Sequence, residues 1–231
     1  DMNSFTENGH NPLETLSPRL TASYAVTSKI SINAAGGMYY KLPPYTALGF
    51  QREGEYVNQN LKYIRTVHAS FGGEYRPTSS WIISVEGFYK WYENYPRSTQ
   101  YGVSLANLGA NFSSIGDEPL VSASRGRTYG VEVYTQKMLT KRLYGIASYT
   151  FYRSKFTGED PNRFIRSAWD NRHLLSLTGG YILGKKKTWE VAAKYRLLGP
   201  APYTPIDEAA SIDYYLIRGE SVPDWTRVNE D

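Results

Sequence analysis

The feature that most constrains this chain is a hydrophobic alternation of period two that runs longer than an ordinary strand. From Trp81 to Glu93 the odd positions are Trp81, Ile83, Val85, Gly87, Tyr89 and Trp91, and the even ones Ile82, Ser84, Glu86, Phe88, Lys90 and Tyr92. Side chains of a strand alternate between its faces, so one face is apolar with aromatics at both ends and the other is mixed and mostly hydrophilic. The same reading applies to Leu20 to Tyr24, Ile30 to Tyr40, Val67 to Arg76, Tyr129 to Tyr134, Leu143 to Tyr152, Leu175 to Tyr181 and Trp189 to Arg196. Helical spacing is rare. The chain reads as all-β, with about eight antiparallel strands in four hairpins.

The connections are unequal. Short turns fall near Thr27-Ser28, Pro77 to Ser80, Leu139 to Arg142 and Gly184 to Lys187. Long connections cover about residues 41–62, 94–125, 156–170 and 199 onward, and hold most of the prolines. Compact soluble domains rarely carry several structureless loops of this length. Short turns at one end and long loops at the other are the pattern of an up-and-down transmembrane β-barrel. A soluble sandwich and a membrane barrel give the same alternation, so strand length decides between them. Trp81 and Trp91 lie about 33 Å apart along a strand, or about 25 Å along the membrane normal at a tilt of about 40°, the height of a lipid-facing band. Tyr24, Tyr75, Trp81, Tyr181 and Trp189 gather at the short-turn ends of the apolar face as an aromatic girdle, with Trp91 at the opposite end. Closing the hairpin around Pro77 to Ser80 sets Tyr75 opposite Trp81, Gly73 opposite Ile83 and Phe71 opposite Val85. That register is open by two residues but not by one, since a single step would flip every side chain.

Composition fits this reading. The longest strongly apolar run is Tyr214 to Ile217, which excludes a membrane-spanning helix. Mean hydropathy of −0.50 does not separate a soluble domain from a barrel with a polar lumen and loops. A net charge of +4 is too weak a signal for nucleic acid, and the absence of cysteine excludes disulfides and thiolate sites. Twenty-one tyrosines suit wet-edged aromatic positions at membrane boundaries, in a lumen and in outer loops.

Catalysis finds no positive feature. His10, His68 and His173 show no metal-ligand spacing. Glu74, Glu86, Glu132 and Glu190 share the polar face with Arg76, Lys90, Lys194 and Arg196, as in a hydrated, charge-balanced wall. Recognition belongs to the long loops. Tyr45, Phe50, Tyr56, Tyr95, Tyr101, Phe112, Phe164 and Tyr203 offer aromatic faces for sugars or planar chelates there, and Arg97, Arg163 and Arg166 offer guanidinium groups for carboxylates or phosphates. The run Lys185-Lys186-Lys187 marks a solvated turn or a contact to anionic lipid heads. Pro43-Pro44 and Pro200-Ala201-Pro202 mark places where strands leave the ladder. If the short turns are periplasmic, both ends of the chain fall on the extracellular side, so it reads as a cut through a longer barrel, and Pro223 to Asp231 carries no closing strand.

Local sequences add a family resemblance. LSPRLTASY at Leu16 to Tyr24, the strand ending MYYKLPPY, HASFGGEYRP at His68 to Pro77 and the strand ending FYKWYENYP resemble barrel strands of TonB-dependent outer-membrane transporters. So do GRTYGVEVYTQK at Gly126 to Lys137, YGIASYTFYRSKF at Tyr144 to Phe156, WDNRHLLSLTGGYILGKK at Trp169 to Lys186, and GPAPYTP at Gly199 to Pro205. Their order is that of the later half of the family's barrel, and their style is similar to receptors of the Bacteroidetes type. The resemblance implies that residues 1–231 are part of a 22-stranded barrel domain, without its plug domain or closing strands. It implies a bacterial outer-membrane receptor that binds a siderophore, cobalamin, haem, glycan or peptide at its extracellular loops. Import would draw on the TonB complex, engaged through an N-terminal region outside this chain. The partners implied are the lipid bilayer, a small solute and a surface lipoprotein, with no cofactor and no enzymatic activity. The rival readings are a passive porin-like barrel and a soluble glycan-binding β-module.

Overall fold

The computed structural model describes residues 15–109, 115–219 and 221–230. His10 and Phe112 lie outside these described residues. The elements follow in chain order as β1 (Arg19–Ala25), β2 (Ile30–Lys41), α1 (Tyr45–Leu48), β3 (Gln51–Arg52), β4 (Glu55–Tyr56), β5 (Ile64–Tyr75), β6 (Trp81–Ser98) and α2 (Leu105–Leu108). They continue as β7 (Leu120–Thr140), β8 (Leu143–Thr157), β9 (Phe164–Arg166), β10 (His173–Leu183), β11 (Trp189–Leu198) and α3 (Glu208–Arg218), followed by a 3-10 turn at Trp225–Arg227.

The eight long strands form one antiparallel sheet in sequential order, β1-β2-β5-β6-β7-β8-β10-β11, with β9 added against the outer end of β8. Among the described residues no second sheet packs on it. The one other sheet among the described residues is the small hairpin β3-β4. The registers carry one apolar face across the whole sheet: Ile32 lies opposite Gly73, Gly73 opposite Val85, Val85 opposite Val133, Val133 opposite Tyr149, and Tyr149 opposite Leu175.

Burial along these strands is the reverse of a soluble protein's. In β5, Val67, Ala69, Phe71 and Tyr75 are exposed while His68, Ser70 and Glu74 are half-buried. Phe71 is 64% exposed, and on the same face Val85 and Val131 are each 47% exposed. Glycines show which way the sheet curves. A Cβ at Gly72, Gly130 or Gly180 on the polar face would collide with Glu86, with Tyr152 and Phe88, or with the Tyr144 ring. At Gly36, Gly73 and Gly87 on the apolar face the nearest atoms stand 3.8, 3.6 and 3.9 Å away. Side chains converge inside a curve and spread outside it, so the polar face is concave and the apolar face convex. Convex and exposed, Val85, Tyr89, Val131, Leu177 and Trp189 occupy the expected side, joined by the half-buried Trp81.

Two details depart from the sequence-based expectation. Tyr75 pairs with Ile83, Gly73 with Val85 and Phe71 with Gly87, two residues from the expected register. The Trp81 amide donates to the Thr78 carbonyl at 3.2 Å, closing a turn on itself, so cross-hairpin pairing begins at Ile83. In addition β6 and β7 run on to Ser98 and from Leu120, well into the stretch read as a loop. Between Tyr92–Gly126 and Tyr95–Ser124, two residues of β6 face one of β7, a bulge with Asn94 at φ 56°. The bulge turns Tyr95 onto the concave side, against the Phe156 ring at 4.7 Å between centroids.

Candidate functional site: the outer loop cluster

The buried hydrophobic cluster lies at the long-loop end. Ala47, Leu48, Leu61, Leu105 and Leu120 form it, with Leu42, Tyr95, Leu108 and Ile115 packed against it. Pro44 precedes α1, and its φ of −53° suits the entry to a helix. Three buried side chains then tie the loops together. Asn58 donates from Nδ2 to the carbonyls of Ala47 (2.9 Å) and Glu118 (2.8 Å), and its Oδ1 accepts from the Leu120 amide (2.8 Å). Asn107 completes a capping box with Ser104 at the start of α2. Its Nδ2 donates to the carbonyls of Ile165 (3.1 Å) and Arg166 (2.8 Å). Asn229 donates to the carbonyls of Asn107 (2.7 Å) and Arg166 (2.6 Å), which brings the last described segment onto the same cluster.

A fourth tie is ionic. Asp170 has a fully buried side chain and accepts from Arg153 Nε (3.3 Å), Arg166 Nε (3.0 Å) and the Ser154 amide (3.0 Å). Arg166 also donates to the Asp170 carbonyl at 2.7 Å. Burial with full hydrogen bonding makes this a positioning knot that fixes β9 and the 167–172 segment against β8. Glu118 is nearly buried as well. Desolvation holds its carboxyl above the ordinary carboxylate range, opposed by the hydrogen bond from Ser98.

Beside this scaffold opens a cavity of about 400 Å³ lined by Tyr101, Gly102, Val103, Gly158, Glu159, Asp160, Arg163, Ile165 and Trp225. Tyr101 and Trp225 form an aromatic wall, with ring centroids 4.4 Å apart and planes inclined by 31°. Arg163 donates to the Thr226 carbonyl at 3.2 Å. Arg97 steadies the opposite lip through the carbonyls of Gly158 (3.5 Å) and Glu159 (3.4 Å). Burial, then the carboxylates of Glu118 and Asp117, push the Tyr101 phenol up. The cavity therefore offers rings, one guanidinium and two carboxylates, groups that can stack on and hydrogen-bond a solute.

The structure sorts the loop residues singled out in the sequence. Tyr101 and Arg163 line the cavity, and Arg97 supports it. Arg166 belongs to the Asp170 knot. Tyr95 sits among Tyr92 and Phe156, where burial pushes its phenol up to about 12. Tyr45 opens α1 and Phe50 follows it, away from the cavity lining. Trp225, Glu159 and Asp160 are additions that sequence reading missed. The Asp-x-Thr spacing around Trp225 was a usable signal, since Asp224 accepts from the Thr226 amide and caps the turn that presents the ring.

The girdle residues fall at the ends of the convex face. Tyr24, Tyr75, Tyr181 and Trp189 are exposed near short turns, Trp81 sits opposite Lys137, and Trp91 lies at the far end near Phe164. On the concave face Glu74 pairs with Arg76 at 2.6 Å, Glu190 accepts from Tyr144, and Glu132 accepts from Thr150 at 3.4 Å. His68 faces Tyr39 there, while His173 is on the convex face between Tyr149 and Phe151. No group of three or more potential ligands that could hold a metal occurs among the described residues.

A sequentially ordered antiparallel sheet, convex and apolar outside, concave and polar inside, with short turns at one end and a loop cap at the other, defines a segment of outer-membrane β-barrel wall. Residues 1–229 match the family model of the TonB dependent receptor-like β-barrel, and the chain belongs to that family of bacterial outer-membrane proteins. No curated protein matches it. The ferripyoverdine receptor of the outer membrane of Pseudomonas aeruginosa, solved with ferripyoverdine, is similar over 84% of this chain and 24% of its own, at 16% identity and a TM-score of 0.62. The alcaligin outer membrane receptor FauA from Bordetella pertussis is similar over 79% of this chain and 29% of its own, at 15% identity and a TM-score of 0.56. The FrpB iron transporter from Neisseria meningitidis is similar over 81% and 27%, at 14% identity and a TM-score of 0.55. The chain thus spans about a quarter of the length of these solved structures.

Proposed function

We propose that residues 1–231 form part of the wall and outer loops of an active-transport receptor. It binds a scarce solute at the extracellular end and imports it with energy supplied through TonB. The inverted burial of the sheet carries the membrane part of this reading: large apolar side chains face outward with no layer of the described residues over them, as a lipid-contacting wall requires. The solute site is the cavity walled by Tyr101 and Trp225 and lined by Arg163. Ferric siderophores, cobalamin, haem, glycans and peptides all suit rings and a guanidinium. Family membership supports TonB coupling, and the iron-related names of several structural neighbours favour testing iron chelates first.

The test is uptake of a panel of these solutes by cells that carry the full gene. One solute should require the gene, an intact TonB system and the proton gradient. Its uptake should fall about tenfold or more in Tyr101→Ala or Arg163→Ala. Uptake that persists without TonB would instead establish a passive pore.

A further inference from the structure

We propose that the convex face carries a binding site for one anionic phospholipid of the periplasmic leaflet, with its headgroup at Lys137 and an acyl chain in a groove across β8, β10 and β11. A groove of about 450 Å³ opens there and is almost wholly apolar. Its floor is a row of small residues, Gly145, Gly179 and Ala193, which the registers place directly opposite one another on three adjacent strands. Leu177 and Tyr195 stand one pleat away as its wall. Across three strands the floor spans about 10 Å at the usual interstrand spacing, long enough to seat a segment of one acyl chain lying across the strands.

The groove is closed at one end by a cation. Lys137 pairs with Gly145 in register, and its ammonium lies 5.2 Å from the centre of the Trp81 ring. It donates to the hydroxyls of Thr140 (3.1 Å) and Ser80 (3.4 Å) and makes no ion pair among the described residues. A cation beside an aromatic ring at the edge of an apolar face is placed at headgroup depth. The surrounding turns are basic. Lys137 to Leu143 and Gly184 to Thr188 together hold Lys137, Lys141, Arg142, Lys185, Lys186 and Lys187, and no carboxylate. Short turns of such barrels face the periplasm, so the leaflet concerned is phospholipid. Charge complementarity then selects an anionic headgroup over a zwitterionic one.

This site rests on the reading that the convex face meets lipid, and the two can be tested apart. A variant of the full protein in which every tryptophan except Trp81 is replaced by phenylalanine, reconstituted in phosphatidylcholine vesicles, leaves Trp81 as the sole reporter, near the short-turn interface. Its fluorescence is measured with brominated phosphatidylglycerol or brominated phosphatidylcholine as quencher. The expected result is quenching by both lipids with a preference of about fivefold for phosphatidylglycerol, the effect of one lysine near an anionic headgroup. The preference should disappear in Lys137→Gln and in Ala193→Phe, which fills the groove. Equal quenching by the two lipids overturns the site while leaving the lipid-facing wall intact. A preference that survives both substitutions also overturns it. No quenching by either lipid overturns both readings.

Discussion

Replacing Asn58 with alanine should loosen the outer loop cap without disturbing the sheet. The Asn58 side chain is 1% exposed and links α1, the 115–119 segment and the first residue of β7, partners up to 62 positions away in sequence. The substitution leaves the Leu120 amide unpaired in a buried setting and removes donors to two carbonyls. An unmet buried amide costs about 1–3 kcal/mol, and each lost net hydrogen bond about 1 kcal/mol, so the cap should lose about 3 kcal/mol. At about 1.4 kcal/mol per factor of ten, the open cap becomes roughly a hundredfold more populated. Hydrogen exchange followed by mass spectrometry reads this directly. Peptides covering residues 44–61, 103–109 and 115–120 should exchange about a hundredfold faster in Asn58→Ala, while peptides from the centres of β7 and β8 keep their rates. Unchanged exchange in the cap would refute the assignment of Asn58 as its tie. Equal acceleration in the strands would refute the separation of cap from wall.

Three further outcomes are expected. Phe71→Lys places a charge in the middle of the convex face and should destabilise the vesicle-folded protein by about 2–4 kcal/mol in denaturant titrations, whereas Ser70→Lys on the concave face should cost little. Gly130→Val should block folding, seen as loss of the heat-modifiable band on gels, because its Cβ meets Tyr152, the Phe151 carbonyl and Phe88; Gly87→Ala, with 3.9 Å of clearance, should fold. Burial raises the Glu118 carboxyl, so the folded cap binds its proton more tightly than the unfolded loop does. The contribution of Glu118 to cap stability should therefore be fully present at acid pH and be lost as pH rises through and above the ordinary carboxylate range. Glu118→Gln should flatten this dependence in exchange rates corrected for intrinsic pH effects.

Much of the wall is legible in the sequence because each strand's partition between two media is a local property. Val67, Phe71 and Tyr75 must share a face whatever their neighbours do. Pairing order also follows from chain order, since short turns force adjacent strands together. The register of the β5-β6 hairpin is less legible. A shift by two keeps every side chain on its face, and only the closed turn at Thr78–Trp81 selects one solution. Tyr95 shows a different limit. Strict alternation would carry it to the same face as Trp91, but a single extra residue at the bulge reverses it. The helix α3, which presents Leu216 and Ile217 to solvent, lies in a stretch read only as a loop, because an eleven-residue helix capped by Asp207 competes poorly with the surrounding turn signals.

The proposed solute site divides in the same way. Tyr101 and Arg163 could be singled out because aromatic and guanidinium side chains in long loops are suited to binding. Tyr101 reaches its partner ring, Trp225, across more than a hundred residues of chain. Asn107 and Asn229 look like ordinary loop polars until the fold buries them as ties. The sequence by itself determines that this chain is a two-faced antiparallel wall, because period two and the spacing of turns are written residue by residue. Which loop residues meet, which arginine lines the cavity and which only holds a loop in place, and where the groove at Lys137 opens are decided by the tertiary structure alone. Those depend on contacts between residues far apart in the chain, which no local pattern encodes.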